Sequence, residues 1–236
     1  MNKEKPVMII TGTRRGIGKG IAEFYIEQGN NVIGCSRGEG TIKAVNYQHE
    51  RVDLIDEKQV RKFVRTVKKQ YEKIDILVCN VGLVGSVLHM SLTSSESLSS
   101  FINTNFVANY LICREVSKTM VSNRYGRIIT LSSIMTCIHA PGTSAYSSTK
   151  KALEEMTKVL AEELASQSIT CNSVALSVMT TETVKDLGDE WLERMYEMQS
   201  IKRPLEINEL CHTISFLASP DASAVTGQVI NLCKVN

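Results

Sequence analysis

This chain is missing most of the features that mark specialised proteins. It has no apolar run near the ~20 residues a membrane-spanning helix requires, and residues 1–6 are too short and too polar for a signal peptide, because the apolar run after them stops at Thr11. Charge of one sign is not in excess either. The 27 basic and 25 acidic residues give a net charge of +2, and the lysines and arginines form no long block, which excludes an extended basic surface for nucleic acid or an anionic membrane. The seven cysteines (35, 79, 113, 137, 171, 211 and 233) are odd in number and far apart, and the four histidines share no ligand spacing with them. That arrangement supports neither a disulfide framework nor a metal site, and it points to reduced thiols in the cytoplasm. There is no proline-rich or glycine-rich linker and no internal repeat.

What is present suits one domain over residues 1–236, with 43% hydrophobic and 22% charged residues. Short apolar runs alternate with helical periodicity. Strands are expected at Val7–Ile10, Asn31–Ser36, Tyr47–Val52, Ile74–Cys79, Arg127–Leu131, Ile169–Ala175 and Gln228–Cys233. Helices are expected from Gly16 to Gly29, over Glu57–Tyr71, over Ser97–Ser122, from Tyr146 to Ser168 and over Glu206–Leu217, with one or two short ones between Thr181 and Ser200. This alternation predicts an α/β fold with a parallel sheet of about seven strands and helices on both faces.

Two stretches carry chemistry. Behind the first strand, Gly12, Gly16 and Gly18 let the backbone turn tightly, and a helix starting near Gly16 offers its amides to a pyrophosphate. The second stretch runs from Ser133, at the carboxyl end of a strand, to the pair Tyr146 and Lys150. Residues four apart project from one helix face, so a phenol and an ammonium share a small volume there. A nearby cation favours the phenolate, which makes Tyr146 a candidate acid or base. Asn105 falls on the apolar stripe of Phe101, Ala108, Ile112 and Val116, where a buried amide must find partners. Ser36 ends the second strand without a negative charge. Arg37 follows it and Arg14 and Arg15 lie in the glycine turn, so guanidinium groups converge where a ribose 2′-phosphate would sit.

In these motifs the chain resembles the classical short-chain dehydrogenase/reductase family, and within it the 3-oxoacyl-[acyl-carrier-protein] reductase type. The likeness covers nearly the whole chain: Thr11-Gly12-x-x-x-Gly16-x-Gly18, Asp53, Asn80-x-Gly82, Asn105, Ser133, Tyr146-x-x-x-Lys150 and Thr226-Gly227-Gln228. It departs from the usual residues at Val81, at Leu176-Ser177 and at Leu232-Cys233-Lys234. The resemblance implies a Rossmann-type doubly wound fold, a nicotinamide cofactor, which the reading of Ser36 and Arg37 makes NADP(H), and Asn105, Ser133, Tyr146 and Lys150 as a catalytic tetrad. In it Tyr146 donates a proton, Ser133 binds the same oxygen, Lys150 depresses the Tyr146 pKa and holds the nicotinamide ribose, and Asn105 anchors a water.

By the same resemblance Gly12, Arg14, Arg15, Gly16, Ile17, Gly18, Ser36, Arg37, Asp53, Asn80, Gly82, Met179 and Thr181 contact the cofactor, with Asp53 beside the adenine and Asn80 and Gly82 beside a sugar. The implied reaction is reduction of a ketone, foremost a small-molecule or carrier-bound 3-oxoacyl thioester, with acyl carrier protein as the candidate partner. A sugar, polyketide or other secondary-metabolite ketone is the alternative, as is a dinucleotide sensor without turnover. The expected substrate wall is 83–90, 134–140 and a small lid segment near 177–204 carrying Leu187, Trp191, Met195 and Met198. A homodimer or homotetramer is expected through the helices beginning near Ser97 and Tyr146, with Leu153, Met156, Val159 and Leu160 as spare apolar residues.

Overall fold

The computed structural model describes residues 5–85, 87–179 and 189–235. Strand β1 (Val7–Thr11) is fully buried and leads through the glycine turn into α1 (Gly16–Glu27). Then come β2 (Asn31–Ser36), β3 (Tyr47–Arg51), α2 (Glu57–Tyr71) and β4 (Ile76–Cys79). The middle of the chain gives α3 (Ser95–Phe101), a wide helical turn over Ile102–Val107, α4 (Ala108–Asn123) and β5 (Gly126–Ser133). Next are α5 (Met135–Ile138), α6 (Ser144–Leu164), β6 (Ile169–Leu176), α7 (Asp189–Glu197), α8 (Ile207–Ala218) and β7 (Val229–Asn231).

All seven strands pair in parallel, in the order β3-β2-β1-β4-β5-β6-β7. The chain winds outward from β1 to β3, then crosses back to β4 and winds the other way. Between β1 and β4 the crossovers diverge, and the carboxyl ends of the strands open into a crevice there. Alternation along β1 supplies both layers. Val7 and Ile9 enter the core under α2, α4 and α6, while Met8 and Ile10 enter the core under α1 and α8. Only the edge strand β3 is polar along its length, as an edge tolerates.

Helix α2 keeps the predicted bounds because Asp56 caps it, its Oδ1 accepting the amides of Lys58 at 2.9 Å and Gln59 at 3.2 Å. The expected single helix over Ser97–Ser122 is instead two helices joined by the wide turn. There the Ala108 amide reaches back to the Asn103 carbonyl, five residues away, and the spacing accommodates Asn105 at the buried centre of the stripe. The predicted lid contains one described helix, α7; Leu187 and Thr181 lie outside the described residues. Trp191, Met195 and Met198 pack with Met135, Val178 and Tyr146 as a third, smaller apolar cluster. Leu153 is fully buried in the protein's own core and is no spare residue, whereas Val159 is about half exposed.

Candidate active site

The crevice is a cleft of about 730 Å³ lined from both halves of the sheet, reaching from Arg37 and Asp53 at one end to Tyr146, Ser177 and Trp191 at the other. Its floor is laced before any ligand is considered. The Thr11 hydroxyl, at the end of β1, accepts the amides of Asn80 at 2.9 Å and Val81 at 3.0 Å. Asn80 returns its side-chain amide to the Thr11 carbonyl at 2.8 Å, so its Nδ2 is spent on clamping β1 to β4. A Cβ on Gly18 would stand 2.4 Å from the Gly12 carbonyl oxygen, which is why only glycine lets α1 approach this close. Gly16 has φ +59°, and its missing Cβ would meet nothing within 4 Å. The helix α1 has no side-chain cap and no acidic residue in its first turn. Its N-terminal amides therefore face the cleft free of an internal anion, which suits a phosphate group.

At the adenosine end, Arg14, Arg15 and Arg37 are exposed and line the cleft, and none has a carboxylate partner among the described residues. The Ser36 hydroxyl donates to the Gly38 carbonyl at 2.9 Å and lies 3.0 Å from His49 Nε2. With that proton spent, His49 Nε2 must carry the hydrogen, and His49 Nδ1 accepts from Tyr47, 2.9 Å away. Thr13 completes the chain at 2.9 Å from the Tyr47 hydroxyl. Sequence reading missed this relay, since Tyr47 and His49 reach the glycine turn only through the pairing of β3 with β2. Asp53 lines the cleft just past β3, its carboxylate accepting the Ile55 amide at 3.3 Å.

At the other end, α6 places Tyr146 and Lys150 on one face. Burial raises the Tyr146 pKa, and a hydrogen bond with the Ser133 hydroxyl acts against that rise. Lys150 Nζ stands 6.0 Å from the centre of the Tyr146 ring and donates to the Leu131 carbonyl at 2.7 Å. Burial lowers the Lys150 pKa itself to about 8. Gly82 admits the lysine, for a Cβ there would lie 3.2 Å from Nζ. Asn105 is fully buried. Its Oδ1 accepts the Leu83 amide at 2.6 Å, and its Nδ2 donates to the Leu83 carbonyl at 3.2 Å and to Thr149 Oγ1 at 3.1 Å. Its amide thus ties the loop after β4 to α6.

Met179 is buried against the cleft beside Ser177, whose hydroxyl is buried with no hydrogen-bond partner among the described residues. That orphan was not singled out from sequence as a binding group; its signal was the departure at Leu176-Ser177. The expected substrate walls are met in part: Val84, Val87, Leu88 and Met135 line the cleft, while Met90 is turned outward and 70% exposed.

The comparisons agree with this geometry. A family profile described as enoyl-(acyl carrier protein) reductase matches residues 12–233. The chain belongs to the short-chain dehydrogenase/reductase family. It is an oxidoreductase of the class that interconverts CH–OH and C=O groups. It is 34% identical over 234 residues to the 3-oxoacyl-[acyl-carrier-protein] reductase FabG of Rickettsia conorii, covering 95% of this chain and 93% of that one. Among solved structures it is similar to ElxO with NADP bound, at 28% identity and TM-score 0.89 over 96% of both chains. It is also similar to an actinorhodin polyketide ketoreductase variant with NADPH, at 25% identity and TM-score 0.90 over 98% of this chain and 97% of that one.

Proposed function

We propose that the protein reduces a ketone to a secondary alcohol with NADPH, and that its principal substrate is a 3-oxoacyl thioester. The observation that carries the reading is the hydrogen-bonded pair of hydroxyls, Ser133 and Tyr146, held at the cleft above the buried Lys150. Two neighbouring hydroxyls that line one cleft suit the oxygen of a reacting carbonyl, where negative charge develops. Tyr146 gives that oxygen its proton, Ser133 steadies it by a hydrogen bond, and Lys150 keeps a positive charge behind them. When bound, NADPH supplies the hydride to the carbonyl carbon.

The residues fit that cofactor. The uncapped start of α1 and the open face of Gly16 suit the pyrophosphate. Arg14, Arg15 and Arg37, free of carboxylates, suit the 2′-phosphate, and the uncharged Ser36 does not repel it. Asp53, at the same end of the cleft as Arg37, suits the adenine, Ile17 and Gly82 line the cleft as well, and the orphaned Ser177 hydroxyl with Met179 suits the carboxamide end. The printed titles of the similar structures, with NADP and NADPH, favour the same reading.

The remaining wall, with Val84, Val87, Leu88, Phe101, Met135 and Trp191, is apolar and suits an acyl chain. The likeness to a polyketide ketoreductase favours a polyketide or related secondary-metabolite ketone as the second reading. We also place the enzyme in the cytoplasm, where its seven free thiols stay reduced, with acyl carrier protein delivering the substrate. Among the described residues no helix is long and apolar enough to cross a membrane. Exposed Tyr110, Val121 and Val159 on α4 and α6 support assembly of identical chains through those helices.

NADPH oxidation, followed with 3-oxoacyl thioesters of increasing chain length, with 2-enoyl thioesters and with polyketide-like ketones, tests the proposal. Turnover on 3-oxoacyl thioesters above the other classes is expected. Turnover confined to enoyl thioesters overturns carbonyl reduction. NADPH binding without turnover on any class would make the protein a sensor.

A further inference from the structure

Resting on that reading, we infer that Glu154 is a positioning residue for the reaction: its buried carboxylate ties the turn carrying Ser133 to the helix carrying Tyr146 and Lys150, and it stands as the counter-charge to the Lys150 ammonium. Glu154 follows Lys150 by four residues on α6, so the two lie on one face of the helix. A carboxylate that is only 1% exposed must be compensated inside the protein. One of its oxygens accepts the Ser132 hydroxyl at 2.7 Å and the Thr136 hydroxyl at 2.9 Å, and the other meets Lys151 Nζ at 2.9 Å.

Ser132 and Thr136 flank Ser133 on both sides. The Thr136 hydroxyl is also 2.9 Å from the Ser133 carbonyl, and the Met135 amide reaches the Ser133 hydroxyl at 3.3 Å. One carboxylate therefore holds both ends of the turn that aims Ser133, from the same helix that aims Tyr146. It adds to the Lys150–Leu131 bond a second tie between the elements that carry the Ser133 and Tyr146 hydroxyls.

The charge has a second task. Lys150 is buried, and its direct acceptor, the Leu131 carbonyl, is neutral. From β4 it faces Cys79, whose thiol is pushed well above its ordinary value by Cys113 and by burial and so carries no charge near neutrality. The Tyr146 phenol is raised by burial and is neutral as well, and the wide turn contributes only the uncharged Asn105. Burial pulls Lys150 down, and of the two groups set against it, Cys79 and Glu154, only Glu154 carries a charge near neutrality. On its outer side Glu154 meets Lys151, which also faces Cys137 from α5 and Glu155 from its own helix.

The test is Glu154→Gln, which keeps the shape of the side chain and removes its charge. Two readouts are taken: the Lys150 titration, by NMR of protein carrying 13C-labelled lysine with Lys150→Met for assignment, and the pH profile of kcat for ketone reduction. In the variant the Lys150 titration and the alkaline limb of kcat both move down by about one pH unit. At about pH 8 kcat falls roughly fivefold and largely recovers near pH 6, while KM changes less than about twofold. Thr136→Val, which leaves the charge and removes one tie, lowers kcat without moving the limb. Should Glu154→Gln not fold, Glu154→Asp is read the same way, and a smaller shift in the same direction is expected. A Lys150 titration unchanged from the parent protein, or a Thr136→Val enzyme with the parent's kcat, overturns the inference. The NMR readout needs no turnover, so a parent protein inactive on every ketone refutes the proposed function while the titration still decides the counter-charge.

Discussion

The Lys150 ammonium and the Leu131 carbonyl are joined by a 2.7 Å hydrogen bond that latches α6 to β5 two residues before Ser133. The bond turns two elements distant in the chain into one platform. Ser133 and Tyr146 inherit their relative position from it, and the chemistry proposed for them depends on that position.

Tyr146→Phe is expected to leave NADPH affinity nearly unchanged and to lower turnover by about a hundredfold or more. The ring keeps its edge-on packing with Phe101, whose centre is 6.4 Å away, so the loss is confined to the hydroxyl, with its proton and its bond to Ser133. Steady-state kinetics beside a cofactor titration check it, and near-normal turnover would remove Tyr146 from its assigned role.

Lys150→Met is expected to be inactive and yet more stable than the parent protein at neutral pH. The unfolded chain keeps a lysine protonated up to its ordinary range, whereas the folded chain releases that proton at about 8. Below pH 8 the buried charge therefore opposes folding in full, and the penalty fades as pH rises from about 8 toward about 10.5. Relative to the parent, the methionine variant is therefore expected to fare better at pH 7 than near pH 10. Urea unfolding at the two pH values measures this, and an equal difference at both would contradict it.

Gly18→Ala is expected to weaken NADPH binding at least about tenfold with a modest loss of stability. The new methyl would press on the Gly12 carbonyl, which is main chain and can yield only by deforming the turn. Calorimetric titration with NADPH, alongside thermal unfolding, separates the two effects. Unchanged affinity would show that the turn does not hold the pyrophosphate.

Arg37→Ala is expected to lower kcat/KM for NADPH selectively, because the guanidinium has no carboxylate partner among the described residues and lies open at the cleft. The parent protein should prefer NADPH over NADH by about two orders of magnitude. Equal use of both cofactors by the parent, or a loss in Arg37→Ala shared by both, would show that the arginines do not read the phosphate.

Static light scattering at micromolar concentration is expected to give a mass at least twice the 26.2 kDa of the chain. Val159→Glu, placed on an exposed face of α6, should shift that mass toward the monomer. A monomer mass for the parent protein would refute the assembly.

The order of strands and helices was legible in the sequence because apolar periodicity is a local property. So were the glycine turn, the place of Ser133 at a strand end and the Tyr146–Lys150 face, each set by spacing within one or two turns of chain. Tertiary structure alone decided which groups meet across the fold. The π-like widening at Asn105 comes from what that side chain reaches, the Leu83 backbone and Thr149, and no periodicity records those partners. The burial that opposes charge on both Lys150 and Tyr146 is not written in their four-residue spacing, since desolvation depends on everything packed around a group. Nothing in the sequence sets Glu154 apart from Glu155 beside it. Only the approach of β5 and α5 to α6, which brings Ser132 and Thr136 to its carboxylate, made it an internal ion beside the site.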